Sequence, residues 1–232
     1  MTKPIIGIIA KHYREKHIRP DTYIRDEVKQ AIIDNGGIPI GIVPPDRKIK
    51  HVADKWSFNL SKEEYKLLKD SIDLCDGIVF QGGGASDNYE CIAAKYCYEK
   101  DIPTLGLCCG ENIMVRALGG TTKYLPNPEK HYNHYKKHVH KVSIDKSSKF
   151  YKIVKADELK VNSRHKKTVA TCPNLERVAF CEDGFTEAVE SKAKLFYIAV
   201  RFHPEGLYLE DEHMNKIFTS FIKASKEYKK GK

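Results

Sequence analysis

The sequence predicts an α/β fold whose core is a doubly wound, mostly parallel β-sheet, and three features carry that prediction. Short apolar segments typical of buried strands alternate along the chain with amphipathic segments typical of helices. Two chemically distinctive motifs each follow an apolar segment directly, Gly106-Leu107-Cys108-Cys109-Gly110 and His203-Pro204-Glu205. Functional groups gather at the carboxyl ends of strands in such sheets, so we expect the two motifs to lie close together at those ends.

The elements follow one another in the order that this fold requires. The first strand, over 5–10, leads to a helix over about 21–35, whose end is marked by Gly36-Gly37. The next strand, over 38–43, is closed by Pro44-Pro45. The remaining predictions are a helix over 62–71, a strand over 76–80, a helix over 89–100, the strand before Gly106, a helix over about 111–118, shorter strands and loops over 121–179, a strand over 196–200 and a closing helix over 210–228.

The first motif is typical of a nucleophile elbow, in which a strand turns abruptly into a helix. The nucleophile there has a strained backbone, and its neighbours at minus two and plus two must be small. Only Cys108 has glycine at both positions, since Cys109 would be flanked by Leu107 and Glu111. The helix N-terminus favours a thiolate. We therefore predict Cys108 as the nucleophile, against the simpler interpretation of buried cysteines in a glycine turn.

The second motif supplies a base and a group to orient it. Proline at 204 disfavours helix at His203, so we expect the imidazole at an extended strand end with Glu205 near enough to accept a hydrogen bond. A cysteine nucleophile needs this pair, because the imidazole promotes the thiolate and then protonates the leaving amine. Alone, the tripeptide would more often be a surface turn.

With both motifs, the chain resembles the class I glutamine amidotransferase-like superfamily and, within it, the γ-glutamyl-γ-aminobutyrate hydrolase family. The resemblance extends over nearly the whole length and includes the segments 3–8, 36–39, 82–84, 161–165 and 183–190. It implies a flavodoxin-like sheet with Cys108, His203 and Glu205 as catalytic triad. It also implies an oxyanion hole of backbone amides from Cys109 and from Gly83 or Gly84.

Substrate contacts follow from the resemblance alone. It suggests Asn162, Ser163 and His165 as substrate-binding residues, and we add Asp87, just past the glycine loop, and Asn112. The chain departs from the family at several positions around the triad: Cys109 stands where arginine is common, Asn112 where glutamine is common, and His165-Lys166-Lys167 where His-His-Gln is usual. These departures leave the triad intact and lie among the residues around it.

A group of histidines at 131, 134, 138 and 140 raises the alternative of a metal site. His134 and His138 have ligand spacing for a helix, but the segment is more typical of a strand, and no cysteine or carboxylate pattern completes a zinc motif. We expect a polar strand and loop there, with no metal. The proposed chemistry requires no cofactor.

Composition favours an ordinary soluble enzyme. With 232 residues and 41% apolar content the chain can bury one substantial core, so we expect a single domain over 1–232. No segment has the length of a membrane span, no basic leader precedes the first strand, and seven scattered cysteines fit a reducing cytoplasm. The net charge of +9 is spread over helices and loops without a binding module, which argues against nucleic acid as a partner. Oligomeric state is open, although a homodimer would resemble the family.

Together these observations predict a cysteine hydrolase that cleaves the γ-glutamyl amide or isopeptide bond of a small γ-glutamyl amine through a thioester. One alternative keeps the chemistry but makes the chain a glutaminase subunit that supplies ammonia to a synthetase. Another is a non-catalytic binding protein on the same fold.

Overall fold

The computed structural model describes residues 2–12, 21–45, 60–83, 88–134 and 139–232. Its helices are Asp26–Asp34 (α1), Lys62–Asp73 (α2), Asn88–Glu99 (α3), Cys109–Ala117 (α4), Lys149–Val154 (α5) and Glu212–Gly231 (α6). Its strands are Ile5–Ile9 (β1), Lys11–His12 (β2), Thr22–Tyr23 (β3), Ile38–Ile42 (β4), Gly77–Phe80 (β5), Thr104–Leu107 (β6), Thr121–Tyr124 (β7), Tyr132–His134 (β8), His140–Ile144 (β9), Glu158–Val161 (β10), Ser163–Arg164 (β11), Lys167–Thr171 (β12), Glu176–Cys181 (β13), Thr186–Glu190 (β14) and Tyr197–Val200 (β15).

In the described part of the chain, the main sheet has nine strands in the order β10-β9-β13-β14-β15-β6-β5-β1-β4. The five strands from β4 to β15 are parallel, and their spatial order by sequence is second, first, third, fourth, fifth. This is the flavodoxin-like arrangement, so the predicted fold class is confirmed. The other four strands extend the sheet in antiparallel fashion beyond β15.

Helices cover both faces of the parallel region. One core joins the sheet to α1, α5 and α6, and the other joins it to α2, α3 and α4. Every residue of β5, β6 and β15 is buried, as expected for strands covered on both sides. Their sequences are therefore apolar except for Thr104 in β6, which made them recognisable.

The strand register places the two predicted motifs side by side. β6 and β15 run parallel with Leu107 opposite Val200, so both strands end at the same level. The amide of Cys108 donates to the carbonyl oxygen of Val200 at 2.8 Å and joins the elbow to the end of β15. His203 follows three residues later.

The structure differs from the predicted elements most clearly at two places, and elsewhere by one to three residues at element ends. Helix α1 begins at Asp26 instead of near 21, because Thr22–Tyr23 pairs with Lys11–His12 as a small ribbon. The segment 121–179 holds strands and loops as predicted, but also the short helix α5, which begins where the Ser148 side chain accepts from the amide of Tyr151 at 2.9 Å. Within the described residues, no helix combines the length and apolarity needed to cross a membrane.

Candidate active site

The turn between β6 and α4 has the strained geometry of a nucleophile elbow. Cys108 has a φ of 50° and a ψ of −99°, a conformation that residues with a Cβ rarely adopt. A Cβ at Gly106 would lie 2.5 Å from the sulfur of Met114, and one at Gly110 would collide with the backbone oxygen of Phe80. Glycine is therefore required on both sides of Cys108, for the reason inferred from the sequence.

His203 and Glu205 lie in hydrogen-bonding contact beside this elbow. Nδ1 of His203 is 2.8 Å from Oε1 of Glu205, and both side chains are buried. Pro204 opens a short 3₁₀ turn over Pro204–Gly206, so the chain leaves its extended path directly after the histidine. With Nδ1 engaged by the carboxylate, Nε2 is the nitrogen available for the Cys108 thiol, which hydrogen-bonds the imidazole.

Electrostatics at the elbow favour a thiolate and an imidazolium. Burial by itself would raise the pKa of the Cys108 thiol, but the charge and hydrogen bond of His203 outweigh it, so that the pKa lies below its usual value. Burial would likewise lower the pKa of His203, and the Cys108 thiolate and the Glu205 carboxylate raise it instead. The pair can therefore serve as a nucleophile and a general acid.

Asn162 holds the backbone of the histidine. Its Nδ2 donates to the carbonyl oxygen of His203 at 2.7 Å, and its Oδ1 accepts from the His203 amide at 2.8 Å. The side chain is fully buried. The sequence suggested Asn162 as a substrate contact, and that role stays a prediction; the observed hydrogen bonds instead fit a residue that positions His203.

The glycine loop after β5 lies against the candidate triad. A Cβ at Gly82 would lie 2.9 Å from Cε1 of His203 and 3.4 Å from the Cβ of Cys108. Gly83 has a φ of +120°, which favours glycine. Arg25 supports the loop, since its Nε donates to the carbonyl oxygen of Gly82 at 3.3 Å.

The structure describes two of the three residues predicted to form the oxyanion hole. Gly83 lies on the glycine loop and Cys109 is the first residue of helix α4. Both amides therefore lie at the carboxyl ends of the parallel strands, as the candidate triad does. Gly84 and Asp87 lie outside the described residues. Sequence reasoning did not single out Gly82, although it belongs to the same triple glycine.

A buried arginine, which sequence reasoning also missed, ties the strand β15 to the elbow helix. Arg201 forms an ion pair with Glu111, and its Nη1 donates to Oδ1 of Asn112 at 2.9 Å and to the carbonyl oxygen of Cys108 at 3.5 Å. Burial raises the pKa of Glu111 to about 7, with the neighbouring Glu187 acting in the same direction and Arg201 opposing it. Asn112, predicted to contact substrate, thus binds Arg201.

A second buried ion pair lies beside the other cysteine of the elbow. Nζ of Lys11 is 2.8 Å from Oε1 of Glu90 and 3.9 Å from the sulfur of Cys109. Both charged side chains are almost completely buried. A lysine directly after the first strand was the only signal in the sequence, and it is too common to be informative.

Ser163 and His165 face the protein interior. The hydroxyl of Ser163 donates to the carbonyl oxygen of His131 at 2.7 Å. Nδ1 of His165 is 3.0 Å from the carbonyl oxygen of Lys167, and its Nε2 is 3.3 Å from Oε1 of Glu187. Their predicted role as substrate contacts stays a prediction. Of the histidine group, His131 is also buried and His140, 12% exposed, lies beside Glu187, whereas the side chain of His134 and all of His138 lie outside the described part.

The chain is similar in sequence to proteins described as glutamine amidotransferases. The chain is 27% identical over 297 aligned residues to a protein of Rickettsia prowazekii described as glutamine amidotransferase-like, covering 97% of this chain and 98% of that protein. It is 29% identical over 197 residues to one of the subunits of the glutamine-hydrolysing GMP synthase of Methanococcus vannielii, covering 83% of this chain and 95% of that relative.

A solved structure has the same fold. The glutaminase domain of the CTP synthase of Trypanosoma brucei, solved with bound acivicin, superposes with a TM-score of 0.69 at 20% identity over 97% of this chain and 94% of that one. The sequence profile of the family Peptidase C26 matches residues 84–205, which include the elbow and the His-Pro-Glu turn. The chain therefore belongs to the Peptidase C26 family, within the class I glutamine amidotransferase-like superfamily.

Proposed function

We propose that this protein is a cysteine hydrolase that cleaves the γ-glutamyl amide or isopeptide bond of a small γ-glutamyl amine. The observation that carries the proposal is the contact of Cys108, on a positive-φ elbow, with the buried pair of His203 and Glu205. A strained elbow that presents a thiol to a carboxylate-oriented imidazole is the arrangement that acyl transfer requires. The resemblance to γ-glutamyl-γ-aminobutyrate hydrolases supplies the substrate class.

The reaction begins with attack of the Cys108 thiolate on the γ-carbonyl carbon of the substrate. The resulting tetrahedral oxyanion accepts hydrogen bonds from the amides of Cys109 and of the glycine loop at Gly83 or Gly84. When the carbon–nitrogen bond breaks, the His203 imidazolium gives its proton to the departing amine. A γ-glutamyl thioester on Cys108 remains.

Water then completes the cycle. Neutral His203 takes a proton from a water molecule, whose oxygen attacks the thioester carbonyl, and glutamate leaves as the carbon–sulfur bond breaks. Glu205 keeps the imidazole in one tautomer throughout, since it accepts a hydrogen bond from Nδ1. We propose that the chain acts as one domain in a reducing cytoplasm, which keeps Cys108 usable; all seven cysteines are free thiols.

The second candidate is a glutaminase subunit that supplies ammonia to a synthetase. The similarity to the Methanococcus vannielii GMP synthase favours it, because this chain covers 95% of the matching relative, which is one part of that enzyme. The chemistry at Cys108 would be the same, with ammonia as the leaving group. A non-catalytic binding protein is disfavoured, because the thiol, imidazole and carboxylate are all present and in contact.

Glutamate release by the purified chain, measured with free glutamine and with a panel of γ-glutamyl amines, tests the proposal. We expect at least one γ-glutamyl amine to be hydrolysed faster than glutamine without any partner, and Cys108→Ala to abolish the activity. No turnover of any amine, followed by glutaminase activity when a synthetase is added, would favour the second candidate. No turnover under either condition would leave only the binding protein.

A further inference from the structure

A group of metal-ligating side chains lies buried in the antiparallel part of the molecule, apart from the candidate triad. We call it the histidine cluster; its members are His131, His165, Cys181 and Glu187, which are buried, and His140, whose side chain is 12% exposed. They come from five separate segments: the turn before β8, the start of β9, the turn between β11 and β12, the end of β13, and β14. None of them takes part in the proposed bond-making and bond-breaking steps, and only His165 was predicted to contact substrate.

The donor atoms converge on the carboxylate of Glu187. Its Oε1 lies 3.3 Å from Nε2 of His165 and 3.4 Å from Nε2 of His140. Donor atoms of His131, Cys181 and Glu187 lie within 4.8 Å of one another. Neighbouring ligand atoms around a tetrahedral zinc ion, with bonds of about 2.0–2.1 Å to nitrogen and oxygen, are about 3.3 Å apart. Three of the donors lie within that 4.8 Å limit, so binding an ion requires them to close by up to about 1.5 Å and requires His165, which is outside this group, to approach them.

The tautomer of His165 points to a cation at this place. Its Nδ1 lies 3.0 Å from the carbonyl oxygen of Lys167, and a carbonyl can only accept, so Nδ1 carries the proton. A neutral imidazole then directs the lone pair of Nε2 at the carboxylate of Glu187, which is also an acceptor. A cation between them, either a second proton on Nε2 or a metal ion, resolves this conflict. Donation of the other ring N–H to a backbone carbonyl is the usual support of a metal-bound histidine.

His131 provides a second, independent observation. Its side chain is 3% exposed, and neither ring nitrogen has a hydrogen-bond partner among the described residues. The nearest carboxylate oxygen recorded for it, Oδ2 of Asp183, is 3.7 Å from Nε2 and beyond hydrogen-bond range. Buried imidazole nitrogens without partners are costly, and metal ligation would satisfy one of them.

The charges buried around the cluster also favour a divalent cation. Glu187 and Glu111 are both fully buried, and Arg201 is the buried cation that pairs with Glu111. Ligation by Cys181 requires its thiolate, which would add a third negative group. A divalent ion together with the guanidinium would balance all three.

We infer that the histidine cluster binds one Zn²⁺ ion, held by His131, His165, Cys181 and Glu187, with His140 hydrogen-bonded to Glu187. Mixed nitrogen, sulfur and carboxylate donors in a closed, buried arrangement suit a structural zinc. The ion would also stabilise the segment that carries Asn162. It would hold His131, whose carbonyl oxygen accepts a hydrogen bond from the hydroxyl of Ser163, the residue after Asn162, at 2.7 Å. The sequence predicted no metal, since the four ligands come from four separate segments and form no spaced motif.

The metal content of the full chain tests this inference. The chain is purified without a histidine tag from zinc-supplemented medium, dialysed against metal-free buffer, and measured by elemental mass spectrometry. We expect one zinc per chain in the wild type and in Cys108→Ala, which excludes the candidate triad as the binding site. Cys181→Ser and His131→Ala should lose most of the metal, whereas the matched controls Cys172→Ser and His213→Ala should keep it.

Cobalt substitution gives a readout that does not depend on whether the variants fold. Wild-type protein reloaded with Co²⁺ should show a thiolate-to-cobalt charge-transfer absorption and the intense visible bands of a tetrahedral ion. Wild-type protein that binds neither Zn²⁺ nor Co²⁺ in equilibrium dialysis at micromolar concentrations would overturn the inference and leave a hydrogen-bonded histidine–glutamate cluster. Zinc retained equally in Cys181→Ser and His131→Ala would also overturn it. These results are independent of turnover, so they stand apart from the proposed hydrolase activity.

Discussion

Removal of the His203 imidazole should change how readily Cys108 ionises, and the size of the change can be worked out from the geometry. The thiol and the imidazole are buried and hydrogen-bonded, with Glu205 on the far side of the ring. Two unit charges about 4 Å apart at an effective dielectric constant of about 20 attract by about 4 kcal/mol. Because about 1.4 kcal/mol corresponds to a factor of ten, His203→Ala should lower the thiolate fraction at neutral pH about a thousandfold.

The loss in reaction rate should be smaller than the loss of thiolate. A thiolate whose conjugate thiol has a higher pKa is a better nucleophile. On a logarithmic scale, this higher reactivity compensates about half of the loss in thiolate fraction. We therefore expect alkylation of Cys108 by iodoacetamide at pH 7 to be about 30-fold slower in His203→Ala than in the wild type. The wild-type rate should level off at a lower pH than the variant's rate, since the pKa of its thiol is lowered. The variant's rate should keep rising through pH 9, because burial raises the pKa of the thiol and no imidazolium is present to lower it.

Peptide-resolved mass spectrometry measures alkylation at Cys108 separately from the other cysteines. His213→Ala is the matched control, because His213 bonds the carbonyl oxygen of Val154 through Nδ1 at 2.8 Å and takes no part in the elbow. An unchanged pH profile in His203→Ala would refute the reasoning, since the thiol would then ionise without the imidazolium.

Three further predictions concern the elbow and its supports. Cys108→Ala should abolish the trapped γ-glutamyl thioester seen by mass spectrometry, whereas Cys109→Ala should keep substantial activity because only its amide is proposed to act; an adduct on Cys109 in the wild type would reverse the assignment. Asn162→Ala should lower kcat about tenfold and change KM by less than about twofold if the side chain positions the imidazole, whereas a dominant rise in KM would support the substrate contact suggested by the sequence. Gly110→Ala should reduce the free energy of unfolding by about 1–3 kcal/mol in urea titrations, because the added Cβ meets the backbone of β5. Gly231→Ala, where nothing lies within 4 Å, should stay near wild type, and equal stability of the two variants would show that the elbow is not tightly packed.

The sequence by itself determined the parallel half of the fold and the chemistry at its edge. Strands buried on both faces are continuously apolar, and each is followed by an amphipathic helix, so these elements are visible in the local pattern. The elbow is visible for a similar local reason. Gly106 and Gly110 are required by contacts with Met114 and Phe80, and the required residue type reveals the turn even before its partners are known.

Only the tertiary structure decided which polar residues surround the candidate triad. Asn162 and His203 are 41 positions apart. Nothing in the sequence near either residue indicates that the side-chain amide of Asn162 hydrogen-bonds the backbone of His203. Arg201 pairs with Glu111 across 90 positions, more than twice that separation. The histidine cluster is the extreme case, since its members come from five segments. Local patterns record what a residue needs from its neighbours in the chain, whereas ion pairs and ligand sets depend on strand pairing, which brings distant positions within a few ångströms of each other.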